Sequence, residues 1–284
     1  MTTSTRAPRA RVQHELRLRT ATVHAVTDLT AHLRRVTLSG PELAGFPAQG
    51  PTDHVKLFLP DPETGLVHLP DGAGGTRPEG GQTVRRDMTP RAFRPEGPSG
   101  HPELDLDVVV HEQDETEPGP LAVWIENVRP GDQASFIGPR GSKLVPEGYA
   151  RAVLLADETA LPSVARWLEM LAPEVAVTVL VEVQGPGEES YLEGLRPGAE
   201  LQWLARGDAA PGTSDVLDRA VRELEIDADT FVWAGGEATT LVPVRRWLRR
   251  ELALPAASVE VQGYWRRGVR DFDHHTPLDP SDPD

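Results

Sequence analysis

The segment RDMTPR, residues 86–91, sets two arginines and a hydroxyl along a short extended stretch of chain. In a strand alternate side chains share a face, so Arg86 and Met88 would point one way while Thr89 and Arg91 point the other. The guanidinium of arginine is a planar fork that suits a pyrophosphate. Taken alone, the segment is equally consistent with a basic strand beside a turn, so the surrounding sequence has to decide between the two interpretations.

Short stretches with strand character, separated by glycine and proline, lie on both sides of this segment. Many short strands at such spacing predict an antiparallel β-barrel. Leucine and aspartate alternate over residues 104–108, so we expect one face of that strand to be buried and the other to be wet. A helix over 120–128, with proline near its start, would aim its first amides at an anion. The predicted strands cover residues 16–26, 33–39, 55–59, 83–88, 104–111 and 133–137.

After about Tyr149 apolar strands alternate with helices. This order predicts a parallel sheet covered on both faces, with a nucleotide site beyond the carboxyl ends of its strands. We expect one domain over residues 12–146 and a second over 150–270, with flexible tails at 1–11 and 271–284. The predicted strands are 153–156, 175–183, 201–204, 231–234 and 259–261, and the predicted helices are 161–171, 216–224 and 241–252.

The composition excludes several classes of protein. A formal charge of −15 in 284 residues argues against a general nucleic-acid binder, because a phosphate backbone demands a basic surface. The chain has no cysteine, which excludes a disulfide, a thiolate metal site and thiol catalysis. No apolar run follows the N-terminal arginines, and no stretch approaches the ~20 apolar residues of a membrane span. We therefore expect a cytoplasmic protein, monomeric or weakly dimeric.

Six further motifs follow RDMTPR in the order and at the separations of a known family. They are GPLAVW at 119–124, RPGD at 129–132, GPRG at 138–141, ADETALP at 156–162, WAGGEA at 233–238 and GYWRRG at 263–268. Over residues 12–270 the chain resembles the siderophore-interacting protein family, flavoproteins of the ferredoxin-reductase superfamily that reduce ferric siderophores. The resemblance implies an N-terminal antiparallel β-barrel of flavin-reductase type that binds FAD, followed by a parallel-sheet α/β domain for NADH or NADPH. Hydride would pass from the nicotinamide to FAD, and single electrons from FAD to Fe(III).

The resemblance also implies roles for individual residues. Arg86 would hold FAD phosphate, Met88 would occupy the position that stacks on the flavin ring, and Thr89 would face its reactive edge. Turns after two strands of the second domain would meet the nicotinamide dinucleotide. The expected cofactor-binding residues are Arg86, Met88, Thr89, Arg91, His111, Gly119, Leu121, Ala122, Asp157, Glu158, Thr159, Gly235, Gly236 and Glu237, and the expected substrate contacts are Trp265, Arg266 and Arg267. No catalytic side chain and no protein metal ligand is required, since the flavin carries the chemistry.

Three positions depart from the family pattern. The family usually has tyrosine at the position of Met88, serine at that of Ala122 and glycine at that of Ala156. Methionine packs against an aromatic ring through its thioether but offers no hydroxyl, and alanine at 122 removes a donor to phosphate. These departures support a second hypothesis, a redox-silent relative that binds or converts a small molecule as a cyclase or isomerase. A third hypothesis is a siderophore carrier without turnover.

Several of these residues also have purely structural interpretations. Asp157 and Glu158 are typical of caps at a helix start, and Trp265 is typical of packing at a strand end. Arg266 and Arg267 suit either substrate contact or solubility.

Two other features invite a functional interpretation. The arginines at 245, 246, 249 and 250 form one face of a predicted helix, which is either solvated or a patch for an anionic substrate. His274 and His275 are adjacent but lack spaced carboxylates, so they do not predict a metal site.

Overall fold

The computed structural model describes residues 8–70, 81–110 and 118–282, and its contacts divide the chain into two units. The N-terminal unit spans Arg11–Leu144, and the C-terminal unit comprises the described residues of Met1–Ala10 and Val145–Asp284. Each unit has its own hydrophobic core. The expected fold class is confirmed, since an antiparallel barrel-type sheet precedes a parallel α/β sheet.

The N-terminal unit is built on a curled antiparallel sheet of seven strands in the order β5-β4-β8-β2-β3-β7-β6. A separate ribbon pairs β1 with β9, and helix α1 contacts β4. In chain order the elements are β1 (Arg11–Gln13), β2 (Leu18–Asp28), β3 (Leu33–Ser39), β4 (Val55–Leu59), β5 (Val84–Met88), β6 (Pro90–Arg94), β7 (Glu103–Val109), α1 (Pro120–Asn127), β8 (Gln133–Ile137) and β9 (Gly141–Lys143).

The sheet closes on itself at Thr89. Strands β5 and β6 lie at opposite ends of the strand order, yet Thr89 is the single residue between them. Because one residue spans only about 3.6 Å, the two end strands have to meet and the sheet has to curl. Residues 86–91 therefore run from β5 through a corner at Thr89 into β6, with strand structure on both sides of that corner. Pro90 begins β6, a position where proline is tolerated in a sheet.

The outer face of β7 is buried, which corrects the expectation of a wet face. Glu103, Asp105 and Asp107 are each less than 5% exposed. Arg94 of β6 lies opposite Glu103 and donates hydrogen bonds to Glu103 and Asp105 at 2.7–3.1 Å. Arg35 of β3 lies opposite Asp107 and donates two hydrogen bonds of 2.7 and 2.8 Å to its carboxylate. Long arginine side chains thus cover a row of carboxylates that periodicity alone assigns to solvent.

Hydrogen bonds and nearby arginines keep the buried carboxylate of Asp105 ionised. Burial raises the pKa of Asp105, but hydrogen bonds from Arg94 and Thr37 and the charge of Arg35 outweigh it and hold the pKa below its ordinary value. A carboxyl with a depressed pKa in the folded state stabilises the fold above its unfolded pKa and loses that contribution as the pH falls through the folded value. The interactions of ionised Asp105 with β3 and β6 therefore stabilise the sheet most near neutral pH.

Replacing Arg94 with methionine leaves Glu103 and Asp105 buried without this partner. Removal of one member of a buried ion pair costs about 3 kcal/mol or more, so we expect a loss of about 3 kcal/mol in the free energy of unfolding at pH 7, measured by urea denaturation. The control is Arg219→Met, because Arg219 pairs with Asp215 on an exposed helix face, where such pairs contribute about 0.5 kcal/mol. Equal losses in the two variants would contradict the role of the β7 carboxylates.

The C-terminal unit is a five-stranded parallel sheet in the order β12-β11-β10-β13-β14. The central strands are almost wholly apolar, as expected where helices cover both faces. No helix among the described residues is long and apolar enough to cross a membrane. The elements are β10 (Arg151–Ala156), α2 (Leu161–Met170), β11 (Ala176–Val183), β12 (Glu200–Ala205), α3 (Val216–Arg222), β13 (Thr230–Glu237), α4 (Leu241–Arg246), which continues as a π-helical turn (Trp247–Glu251), and β14 (Val259–Trp265).

The C-terminal residues 278–282 pack against α4, although their composition predicts a flexible tail. Leu278 contacts the core of the unit. Arg246 donates to Asp279 at 2.6 Å, and Arg245 and Arg250 both pair with Asp282. Acidic residues of the same chain therefore pair with this basic face, while the side chains of Arg246 and Arg250 stay about half exposed to solvent.

The docking of this segment depends on charge. Hydrogen bonds from Arg246 and Ser281 lower the pKa of Asp279 to about 2, so its attachment persists down to strongly acidic pH. We expect the double variant Asp279→Asn/Asp282→Asn to speed amide hydrogen exchange in residues 278–282 while the core strands stay protected. A matched control is Asp208→Asn/Glu225→Gln, which removes the same charge from exposed positions. Unchanged exchange in the double variant would show that the ion pairs do not hold the segment.

Candidate functional site

Segment 86–91 places one basic side chain on a strand and another beyond the corner. Arg86 lies in the middle of β5, half-buried, on the same face as Met88. Arg91 lies on β6 and is 8% exposed. Thr89 is half-buried at the corner between the two strands. The curl of the sheet therefore sets the relative positions of the three polar side chains.

Met88 packs inward. Its side chain is 6% exposed and belongs to the core of the N-terminal unit, and its partner across the ladder is Val55. An unbranched thioether suits such a packing position. Its contact with a flavin ring stays a prediction from the resemblance, and the structure supplies a second reason for an apolar residue there.

The start of helix α1 suits an anion. Gly119 precedes the helix, Pro120 occupies its first turn, and among the described residues no side chain caps this end and no acidic residue lies in the first turn. A Cβ on Gly119 would meet no atom of the described residues within 4 Å. Such an end attracts phosphate through its unpaired N–H groups and the helix dipole. Leu121 packs on the core, Ala122 is half-buried, and His111 lies outside the described residues.

In the C-terminal unit the carboxyl ends of the parallel strands meet at Asp157. This residue follows β10, and its Oδ1 accepts hydrogen bonds from the amide and the hydroxyl of Thr159 at 2.9 and 2.5 Å. Its Oδ2 accepts the amide N–H of Glu237 at 2.9 Å and the indole N–H of Trp265 at 2.8 Å. One carboxylate thus joins the ends of β10, β13 and β14.

Glu237, at the end of β13, is a second organising carboxylate. Its Oε2 accepts the amide of Thr240 at 2.7 Å, and its Oε1 accepts the amide of Arg267 at 3.0 Å. The expected substrate segment 265–267 is therefore held at its side chain by one acid and at its backbone by another. Both acids were expected to bind the cofactor, and in the structure their oxygens are engaged by the protein itself.

Glu158 lies beside Asp157 and closes a small acidic cavity. Its Oε1 accepts the amide of Gln184 at 2.9 Å and a guanidinium N–H of Arg206 at 2.5 Å. The cavity, about 10 Å³ in volume, holds at most one water and is also lined by Glu182. Of the described residues lining the cavity, Arg206 alone is positively charged.

Crowding of these acids alters their ionisation. Burial raises the pKa of Asp157 to about 6, and the charge of Glu158 adds to the effect while hydrogen bonds from Thr159 and Trp265 oppose it. Burial and the charge of Asp157 raise the pKa of Glu182 to about 7. The cluster therefore takes up protons within the range in which enzymes operate.

Sequence reasoning missed Glu182 and Arg206. Glu182 is an acid inside the apolar strand AVTVLVEV, a signal that a buried polar site was near. Arg206 follows the edge strand β12, and nothing in the local sequence indicated that its side chain would be 95% buried against Glu158. Gly235 lies inside β13, whereas it was expected in the turn after that strand. Arg266 and Arg267 follow β14 at the surface of the unit.

Gly236 allows Asp157 to reach the end of β13. Its φ is 153°, and an added Cβ would lie 2.7 Å from the Asp157 carboxylate. We expect Gly236→Ala to lower the free energy of unfolding by about 1 to 3 kcal/mol, because it strains the backbone and displaces the carboxylate. Gly185→Ala is the control, since a Cβ there meets no atom within 4 Å, and its effect should be below about 1 kcal/mol. Thermal and urea unfolding of both variants measure the difference.

Family models match both halves of the chain. The siderophore-interacting FAD-binding domain matches residues 22–143, and the siderophore-interacting protein domain matches residues 149–268. The NADPH-dependent ferric-chelate reductase of Escherichia coli (strain K12) is 33% identical over 260 residues, which cover 90% of this chain and 95% of the relative.

Solved structures agree with the family models. A siderophore utilization protein from T. fusca is 40% identical with a TM-score of 0.84, covering 94% of this chain and 99% of that one. The siderophore-interacting protein SipS from Aeromonas hydrophila is 29% identical with a TM-score of 0.70, covering 89% and 93%. An FAD-binding barrel followed by a parallel nucleotide-binding sheet defines a flavoprotein with the ferredoxin-reductase-like fold. This chain belongs to the siderophore-interacting protein family.

Proposed function

We infer that this chain is an NAD(P)H-dependent flavin oxidoreductase that reduces ferric siderophores. The observation that carries the inference is the presence of both family halves in order, over residues 22–143 and 149–268, in a chain that aligns with 95% of an NADPH-dependent ferric-chelate reductase. FAD is the resident cofactor, NADH or NADPH the electron donor, and a ferric siderophore the substrate.

The residues of the N-terminal unit fit FAD. Arg86 offers a cationic fork on β5, and β5 pairs with β4. Helix α1, whose start has no side-chain cap, also contacts β4. We propose that Arg86 and the first amides of α1, after Gly119, hold the diphosphate, while Thr89 lies at the flavin edge. When bound, FAD accepts a hydride from the nicotinamide and supplies single electrons to iron.

The residues of the C-terminal unit bind and orient the nicotinamide dinucleotide and the ferric chelate. The ends of β10 and β13 are where a parallel sheet of this type receives a dinucleotide, and Asp157, Glu158 and Glu237 shape that edge. Trp265 is held in place by Asp157, and Arg266 and Arg267 carry positive charge next to it. In an otherwise acidic chain, these arginines favour an anionic ferric chelate.

Reduction releases the metal because Fe(II) attracts hard oxygen ligands less strongly than Fe(III). The iron is substrate, so the protein needs no ligand of its own for it. The redox-silent alternative is not favoured, since the similar proteins include reductases of ferric chelates and ferric vibriobactin. We also propose that the protein acts in the cytoplasm, a reducing compartment that the absence of cysteine suits. We further propose that it is a monomer or weak dimer.

The proposal is tested by absorbance. Purified protein titrated with FAD should show flavin bands of a bound cofactor. Anaerobic NADH or NADPH should bleach them, and ferric citrate or a ferric catecholate should restore them with release of Fe(II) to a ferrous chelator. Protein that takes up no FAD, or a bound flavin that neither nicotinamide bleaches, would contradict the assignment.

Arg86 supplies a sharper test of the FAD site. Loss of a charge-assisted hydrogen bond costs about 1.5 to 3 kcal/mol, so Arg86→Met should weaken FAD binding by about tenfold or more in calorimetric titration. Arg85→Met is the matched control, because Arg85 is the neighbouring residue of β5 and faces solvent on the opposite side. Equal affinities in the two variants would remove Arg86 from the site.

A further inference from the structure

Trp265 is held at both edges of its ring. The indole N–H donates to Asp157 Oδ2 at 2.8 Å. At the other edge, a Cβ on Gly212 would lie 3.1 Å from Cη2 of Trp265, so the ring lies close to the backbone of the loop after β12. The φ of Gly212 is 74°, a left-handed conformation that favours glycine at this close approach. The ring position therefore depends on one hydrogen bond and one backbone contact.

The carboxylate of Asp157 is held by hydrogen-bond donors that the surrounding chain keeps in place. The amide and hydroxyl of Thr159 belong to the turn that Asp157 begins, and the amide of Glu237 is the end of a buried strand. The indole is the one donor of the four that belongs to a side chain from a distant strand. A carboxylate accepts four hydrogen bonds, whereas a carboxylic acid has to donate at one oxygen. A proton on Asp157 turns the Thr159 hydroxyl, 2.5 Å from Oδ1, from a donor into an acceptor. The indole N–H then faces a neutral carbonyl oxygen, which binds it less strongly than a carboxylate does.

Charged groups face Asp157 from every strand end around it. Glu158 approaches from the turn after β10, Glu182 from β11, Arg206 from the loop after β12, and Glu237 from β13. Three of these four are acids, and Arg206 is paired with Glu158. Burial and the Glu158 charge both favour a proton on Asp157, and its pKa of about 6 makes the change accessible under mild conditions.

We propose that Asp157 is the positioning residue of Trp265, and that its negative charge holds the indole ring and the segment 265–267 in the orientation that meets the substrate. Protonation of Asp157 weakens the hydrogen bond that holds the ring. The substrate contact of segment 265–267 rests on the proposed function, whereas the hydrogen bond and its weakening do not.

The experiment follows the indole N–H signals of ¹⁵N-tryptophan-labelled, full-length protein by NMR between pH 5 and 8, without flavin, nicotinamide or iron. The chain has six tryptophans, and Trp265→Phe identifies the signal of Trp265. We expect this signal to lie downfield at pH 8 and to move upfield with a midpoint near pH 6 as Asp157 takes up a proton. In Asp157→Asn it should stay constant over this range, because asparagine does not titrate.

The control is Ser163→Ala, which removes the 2.7 Å hydrogen bond to the hydroxyl of neighbouring Tyr264 and should leave the Trp265 titration intact. A Trp265 signal that is constant from pH 5 to 8 overturns the proposal, and so does a titration that persists in Asp157→Asn. If that variant does not fold, the titration in the unmodified protein still decides.

A second readout is kinetic. With ferric citrate as substrate, Trp265→Phe should flatten the pH dependence of KM between pH 5 and 8, and a profile identical to that of the unmodified protein counts against the role of the ring. Absence of any iron reduction together with an intact NMR titration would reject the proposed function while leaving the positioning role of Asp157 standing.

Discussion

Buried carboxylates that take their donors from neighbouring strands organise both units of this protein. In the N-terminal unit Glu103, Asp105 and Asp107 are covered by arginines of β3 and β6. In the C-terminal unit Asp157 and Glu237 accept N–H groups from strand ends and from the segment after β14. A buried charge without partners is costly, so each carboxylate dictates where its donors must lie. The same requirement that stabilises the barrel thus also places the candidate site.

The two halves use this constraint differently. Arginines of β3 and β6 pair with the carboxylates of β7, and in the case of Asp105 this holds the pKa below its ordinary value. At the ends of the parallel strands the donors are mostly neutral, and three other acids lie nearby. There burial, together with the charge of Glu158, outweighs the hydrogen bonds and raises the pKa of Asp157 to about 6.

Many of the helices and strands were predictable because local sequence patterns specify them. Helix α1 was expected over 120–128 and occupies Pro120–Asn127, and the predicted strand 55–59 is β4. Strand β6 was missed because it begins with proline, and the outer face of β7 was assigned to water because periodicity carries no information about arginines on other strands. The C-terminal segment was expected to be flexible because it is rich in aspartate and proline, and that composition carries no information about Arg246, which lies 33 residues before Asp279.

For the candidate site, the sequence by itself determined the chemistry available: the arginine fork at Arg86, the acids of the turn after β10, and an aromatic residue followed by two arginines at 265–267. The tertiary structure alone decided which of these groups meet. Asp157 reaches Glu237 across 80 residues and Trp265 across 108, and Arg206 reaches Glu158 across 48. Such contacts depend on strand order and register, which arise from the packing of the whole sheet, so no local pattern could have specified them.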